Sequence, residues 1–371
     1  MKGETARVFV QLVINPGSTS TKVAVFNDDE MVASRNLAHD AEMLAQFPSI
    51  FHQLELRYEH VMRFLEASGI RPSSLSAVMG RGGVLPPSEG GTYVVDEELV
   101  SLLRSSGGGH ASSLGGLLAR RVAEPLGIPA FIADPVTTDE LDDVSRYTGL
   151  PEAPRVCIFH ALNQKAVARR AAADLGKKYE EINLIVAHLG GGISVGGHRR
   201  GRVVEVANAL KGEGPFSPER SGLLPATGLV RLCFSGRYTK EEILKLINGK
   251  GGLVAYLGTN SLRDVDAAID AGDQHAALCL EAMAYQVAKE IGRVACALAG
   301  RVDAIVLTGG AAHCSRLVEW ISQRVKFIAP VMVYPGEEEM RALAEAGLRV
   351  LAGHERPKRM SARPSSASGT A

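Results

Sequence analysis

Residues 8–26, VFVQLVINPGSTSTKVAVF, decide the fold. The runs 8–14 and 23–26 are rich in Val, Ile and Phe, the composition of short strands, and residues 15–22 between them are of turn type. The turn carries Ser18, Thr19, Ser20 and Thr21 in succession, Gly17, Lys22 and no carboxylate. Hydroxyls, backbone N–H groups freed by glycine and one ammonium make a donor cluster suited to phosphate oxygens. GxxxxGK[ST] is absent and the chain leaves the turn as a strand, which excludes a Walker loop. A solvated hairpin tip fits this segment alone equally well, since Ser, Thr, Asn and Gly also fill turns for conformational reasons.

A second copy decides between the two. Residues 184–206, LIVAHLGGGISVGGHRRGRVVEV, repeat the strand, glycine turn and strand, with His188 and Ser194 beside Gly190, Gly191 and Gly192. The spacing of about 170 residues points to a duplicated domain with one phosphate hairpin in each half. A third glycine turn, Thr308-Gly309-Gly310, ends the apolar run 304–307 and lets backbone approach a ligand closely.

Two domains are expected from 371 residues, 46% of them hydrophobic. Lys plus Arg and Asp plus Glu both number 41, so no global field draws nucleic acid or an anionic membrane, and anion binding is local. Five cysteines with no C-x-x-C pair predict reduced, buried thiols and the cytosol. No signal core or 18-residue apolar stretch occurs.

Phe51, Leu54, Tyr58, Val61 and Leu65 predict an amphipathic helix closed by Gly69. Arg81 and Asp134 follow apolar runs, at strand ends where open α/β sheets bind ligands. His110 follows Gly107-Gly108-Gly109 at a helix start, and a spacing of four puts His160 and Gln164 on one helical face. Residues 139–154 predict a surface crossing, so the domains divide as 1–150 and 151–336, with a last helix at 337–353 completing the first domain. The loop 212–225 carries Arg220, and residues 354–371, basic and rich in Ser, Ala and Pro, predict a disordered tail.

INPGSTSTK, GRGG followed by EGGTY, FHALNQKAVARR, HLGGGISVGGH, GEGPFSPERSG, GKGGLVAYLGTN, EAMAYQVAKEIG and YPGEEEM together resemble the acetokinase family, its butyrate-phosphorylating branch most closely. That family lies within the superfamily of acetate and sugar kinases, heat-shock chaperones and actin. The resemblance runs over about residues 8–353. It implies an α/β fold of two similar actin-like (ribonuclease-H-like) domains, each a five-stranded mixed sheet with helices, around a nucleotide cleft. It implies transfer of the ATP γ-phosphoryl group to butyrate or a similar short or branched acid, with magnesium. Acetate or propionate as acceptor, or an actin-like ATP switch without one, are the alternatives. A homo-oligomer is expected.

By the same resemblance, Asn15, Ser18, Ser20 and Lys22 form the first phosphate loop and His188, Leu189, Gly190, Gly191 and Gly192 the second. Gly309 and Gly310 match the adenosine segment. Arg81 and Arg220 match arginines that contact carboxylate and phosphoryl group, Asp134 a magnesium-associated aspartate with Asn15 beside it, and Glu338 a metal-side glutamate. His110 matches a histidine near the acyl site. Where acetate kinases carry a histidine this chain has Gln164, a neutral donor in place of an imidazolium. Their Gly-Glu-Asn adenosine run is replaced here by Ala311-Ala312-His313-Cys314.

Overall fold

Unbroken runs of Val, Ile and Leu form the central strands of two sheets, as expected where helices cover both faces. In the computed structural model, which describes residues 8–106 and 110–360, the chain divides into two compact units. One runs to Thr138 and resumes at Glu338; the other is Asp139–Glu337.

The first unit contains β1 (Val10–Pro16), β2 (Ser20–Asn27), β3 (Glu30–Ala38), β4 (Ala77–Arg81), β5 (Thr92–Val94) and β6 (Ala130–Ala133). Their order is β3-β2-β1-β4-β6-β5. β1 to β3 form an antiparallel meander, β4 and β6 run parallel to β1, and β5 adds an antiparallel edge. The second unit contains β7 (Asn183–Leu189), β8 (Ile193–Arg199), β9 (Arg202–Val206), β10 (Ala304–Gly309) and β11 (Val331–Pro335), in the order β11-β10-β7-β8-β9. Without β5 the two topologies coincide. Even the register shift recurs, between Val25 and Phe26 in β2 and between Gly197 and His198 in β8. The duplication predicted from two hairpins therefore extends through both sheets, although the first has six strands where five were expected.

Helices Leu54–Ala67, Leu114–Ala123 and Glu339–Leu351 belong to the first unit, and the long helix Gln274–Ala297 to the second, where it buries Met283, Val287, Ile291 and Val294. β4 meets its helix backbone to backbone. A Cβ on Gly80 would stand 2.2 Å from the Gly115 carbonyl oxygen, so no side chain fits there.

Several expectations are corrected. Residues 139–154 are not a free crossing: Leu141 packs with Cys157, Phe159 and Val203, and the buried pair Glu140–Lys165 closes at 2.7 Å within the second unit. The chain passes between units at Thr138, some residues earlier than expected. The predicted disorder from His354 fails for residues 354–360. Lys358 exchanges backbone hydrogen bonds with Thr92 and Val94 (2.8 and 2.9 Å), Arg359 pairs with Asp96, and Met360 is buried in the first core. An edge strand with open backbone groups recruits a segment that composition alone marks as soluble. Residues 107–109 and 361–371 lie outside the described residues. The cysteines are all free, but Cys233 and Cys296 are exposed. No helix among the described residues is long and apolar enough to cross a membrane.

Candidate functional site

In the first unit the hairpin is tighter than its sequence suggests. β1 and β2 pair as far as Pro16 with Thr21, so Asn15 and Lys22 face each other as strand residues and the tip is only Gly17, Ser18 and Thr19. Gly17 N–H is not available to a ligand, because it donates to Ser20 O at 2.8 Å. Ser18 and Lys22 are exposed and Ser20 partly so. Asn15 is buried and donates from Nδ2 to Glu339 Oε2 at 2.7 Å. The same carboxylate oxygen forms an ion pair with Arg81, the last residue of β4. Asn15, Arg81 and Glu339 thus form one cluster. The expected metal-side glutamate, Glu338, stands apart from it: its side chain is 62% exposed and lies 3.8 Å from Arg341. Both residues sit at the start of the last helix, and sequence alone could not tell which of three successive glutamates turns inward.

Asp134 ends β6 in a left-handed conformation, φ 38°, which a non-glycine residue adopts only at a cost. It is buried, accepts from Gly91 N–H at 2.7 Å through Oδ1, and donates its own N–H to Gly91 O. His110 is exposed at a helix start, as predicted, and its Nδ1 lies 2.7 Å from Ser112 Oγ and accepts from Ser112 N–H.

In the second unit β7 and β8 pair until Leu189 meets Ile193, leaving Gly190–Gly192 as the turn. Gly192 is required by Arg220: a Cβ there would lie 1.7 Å from Arg220 Nη1. The guanidinium lies over this glycine, donating from Nη1 to Ala209 O (2.5 Å) and from Nε to Asn248 Oδ1 (3.1 Å). Burial lowers the Arg220 pKa and Glu219 opposes the shift. Ser217 Oγ joins the loop to the turn, donating to Gly191 O and accepting from Arg220 N–H.

His188 is buried, stacks on His160 with ring centroids 3.8 Å apart, and shares a 2.7 Å hydrogen bond from Nδ1 with Asn163 Oδ1. Its Nε2 is 3.0 Å from Glu337 Oε1 without hydrogen-bond alignment. Gln164 is the clearest departure from expectation. It is fully buried, and its Nε2 donates to Ser194 O and Ser194 Oγ (3.0 and 2.8 Å) while Oε1 lies 3.0 Å from His198 Nε2. Both amide hydrogens are spent inside the protein, so Gln164 has none left for a phosphoryl group. The Ser194 carbonyl can only accept, which fixes the amide. The Ser194 hydroxyl accepts from Gln164 and lies 2.8 Å from His160 Nδ1. Of the pair on that helical face, His160 is the partly exposed member.

Gly190, Gly191 and Gly310 line one cavity of about 670 Å³, with Glu219, Asn260 and His313 among its walls. Two glycine turns far apart in sequence are therefore brought together. Gly309 instead serves packing, since at φ 91° it lets β10 lie against β7, where a Cβ would be 2.2 Å from Leu189 O. Asn260 and Glu219, joined by a 2.5 Å hydrogen bond, were not singled out from sequence, although both lie in segments that carry the family resemblance. No group of three or more His, Cys, Asp or Glu poised to hold a metal occurs among the described residues.

Comparison with known proteins follows the same lines. A family model described as the acetokinase family matches residues 155–347. Butyrate kinase 2 of Clostridium acetobutylicum is 51% identical over 352 residues, covering 95% of this chain and 99% of its own. Butyrate kinase 1 of the same organism is 53% identical, covering 94% and 98%. Among solved structures, acetate kinase from Porphyromonas gingivalis superposes with a TM-score of 0.78 at 20% identity, covering 91% of this chain and 99% of its own. A propionate kinase from Francisella tularensis reaches 0.72 at 18% identity, covering 91% and 98%. At such identities the likeness concerns the fold alone.

Proposed function

Since the chain belongs to the acetokinase family, we propose that it moves the γ-phosphoryl group of ATP reversibly to butyrate, giving butyryl phosphate and ADP. The observation that carries the nucleotide half is the convergence of Gly190, Gly191 and Gly310 on one cavity of about 670 Å³. Butyrate as acceptor rests on the two Clostridium relatives, similar along nearly the whole chain.

The chemistry is electrostatic. A short-chain carboxylate, with a pKa near the ~4.3 of glutamate, is already ionised at neutral pH and needs no general base. Its oxygen attacks the γ-phosphorus in line as the bond to the β-phosphate oxygen breaks and ADP departs. The barrier is the approach of one anion to another, lowered by fixed donors around the transferring oxygens. Arg81 and Arg220 are assigned to those oxygens and to the carboxylate. Their guanidiniums stay protonated and offer paired N–H bonds, and Arg220 is already oriented by Ala209, Asn248 and Gly192. Ser18, Ser20 and Lys22 on one hairpin, with His188 and the glycine turn on the other, are assigned to phosphate oxygens, and His110 to the acyl side. His160, partly exposed at the start of the same helix, is assigned the donor role first expected of Gln164. Magnesium fits a donor set of one or two carboxylates, with waters and phosphate completing its shell. Glu339, hydrogen-bonded to Asn15, and Asp134, just after β6, are the carboxylates that would hold it, and the ion would neutralise phosphate charge. The free thiols agree with a cytosolic enzyme, and a homo-oligomer is part of the same reading.

The test is ADP release by a coupled assay with acids of two to six carbons. Each methylene contributes roughly 1 kcal/mol in an apolar pocket, so kcat/KM should peak at butyrate and exceed that for acetate by ~10- to 100-fold, with propionate, isobutyrate and valerate between. A maximum at acetate would favour the acetate-kinase alternative. ADP release indifferent to any acid would sink the kinase reading.

A further inference from the structure

The apolar stripe of helix Leu54–Ala67 contains one arginine, and it is among the largest fully buried side chains of the protein. Arg57 reaches the back of the first hairpin. Nη1 donates to Gly17 O, Ser20 O and Thr21 Oγ1, each at 3.0 Å, and Nη2 to Ser18 O at 2.9 Å. Nη2 and Nε also reach Gln53 Oε1, at 2.9 and 3.2 Å. Every one of these acceptors is neutral, and no carboxylate pairs with Arg57 among the described residues. The other ionisable neighbours are also bases. His39 shares a 2.8 Å hydrogen bond with Thr21 Oγ1 and stacks on His60. Burial, then Arg57, then His60 hold the His39 pKa down to about 4, and burial pushes Arg57 down to about 10. A guanidinium this deep, without a counter-ion, carries an uncompensated desolvation cost.

The hairpin tip shows what the charge does. C=O and N–H point in opposite directions across a trans peptide. With the Gly17 and Ser18 carbonyls turned inward onto Arg57, the Ser18 and Thr19 N–H groups turn outward, and neither finds an acceptor among the described residues. We propose that Arg57 is a positioning residue that also acts electrostatically, fixing the hairpin with its amides outward and taking as its counter-ion the phosphate group bound on the far side. This rests on the assignment of that hairpin to phosphate.

Gln53→Glu tests it. The substitution places a carboxylate where Oε1 already accepts two Arg57 bonds, and exchanges the weak 3.4 Å donation from Nε2 to Leu44 O for an oxygen facing that carbonyl. The hairpin keeps its clamp while the cation gains an internal partner. In the full chain, titrated with pyrophosphate by calorimetry at fixed ionic strength, Gln53→Glu should bind about 10-fold more weakly than wild type. Its ligand-free melting temperature should rise. A purely structural arginine would leave the pyrophosphate affinity unmoved. Lys22→Ala separates the two layers of the argument. If it loses affinity and Gln53→Glu does not, the counter-ion idea is overturned and the phosphate hairpin stands; if neither loses affinity, the hairpin assignment falls as well. Should Gln53→Glu not fold, Arg57→Lys keeps the charge without the fork and should bind pyrophosphate more tightly than Arg57→Met. Equal losses in those two variants would overturn the proposal.

Discussion

Arg220 and Gln164 were both expected to touch the transferring group, and they part company in the structure. Arg220 is held over Gly192 by two acceptors, whereas Gln164 is sealed between Ser194 and His198. Arg220→Ala is therefore expected to lower kcat by ~10²- to 10³-fold with little change in stability. Gln164→Leu, close to isosteric, should instead lower the urea-denaturation free energy by about 1–3 kcal/mol, because it removes the bonds that Gln164 makes to the buried Ser194 carbonyl and His198 Nε2. Equilibrium unfolding and steady-state kinetics on both variants decide it: full stability with a collapsed kcat in Gln164→Leu would restore Gln164 to the phosphoryl group. A spacing of four showed that His160 and Gln164 share a helical face. It could not show depth, which here separates an N-cap position open to ligand from one a turn further in. Arg57 was illegible for a related reason. An arginine among core-facing positions reads as an interruption of the apolar stripe until the carbonyls it serves, at Gly17, Ser18 and Ser20, are seen.

At the scale of elements, both glycine hairpins were legible because their glycines and strand composition are local signals. The three-residue β5 and the segment that pairs with it were not. Neither has an apolar period, and both are held by backbone partners distant in sequence, β5 by β6 and by Lys358, and Lys358 by Thr92 and Val94. Composition averaged over 354–371 hid the buried Met360. A chain ending at Gly353 should accordingly melt several degrees below the full chain. Burying Met360 contributes about 2 kcal/mol and each lost backbone bond about 1. An unchanged melting temperature on differential scanning calorimetry would show that this strand adds nothing to stability. The crossing between units was misplaced for the opposite reason, since residues 139–154 are charged, yet their charges are engaged, Asp139 with Arg146 and Asp142 with Arg199.

At the scale of the whole molecule, the two units share one strand order but not one pattern of continuity. The second is a single stretch, Asp139–Glu337, whereas the first is assembled from segments on either side of it. Gln11 on β1 donates to Ala344 O, Asn15 to Glu339, and the Thr92 N–H to Glu355. This arrangement imposes an order on biosynthesis. Domains fold as units during translation, at about 5–20 residues per second, so the later unit in sequence is free to fold while the earlier one waits for its missing pieces. On released chains ending at residue 337, limited proteolysis should find the unit from Asp139 protected and residues before Thr138 cut; protection of both would refute that order. The β1–β2 hairpin would then be among the last parts to mature. A translating ribosome that stops short of Glu339 releases a chain with its glycine-lined cavity formed and its Asn15–Arg81–Glu339 cluster never closed.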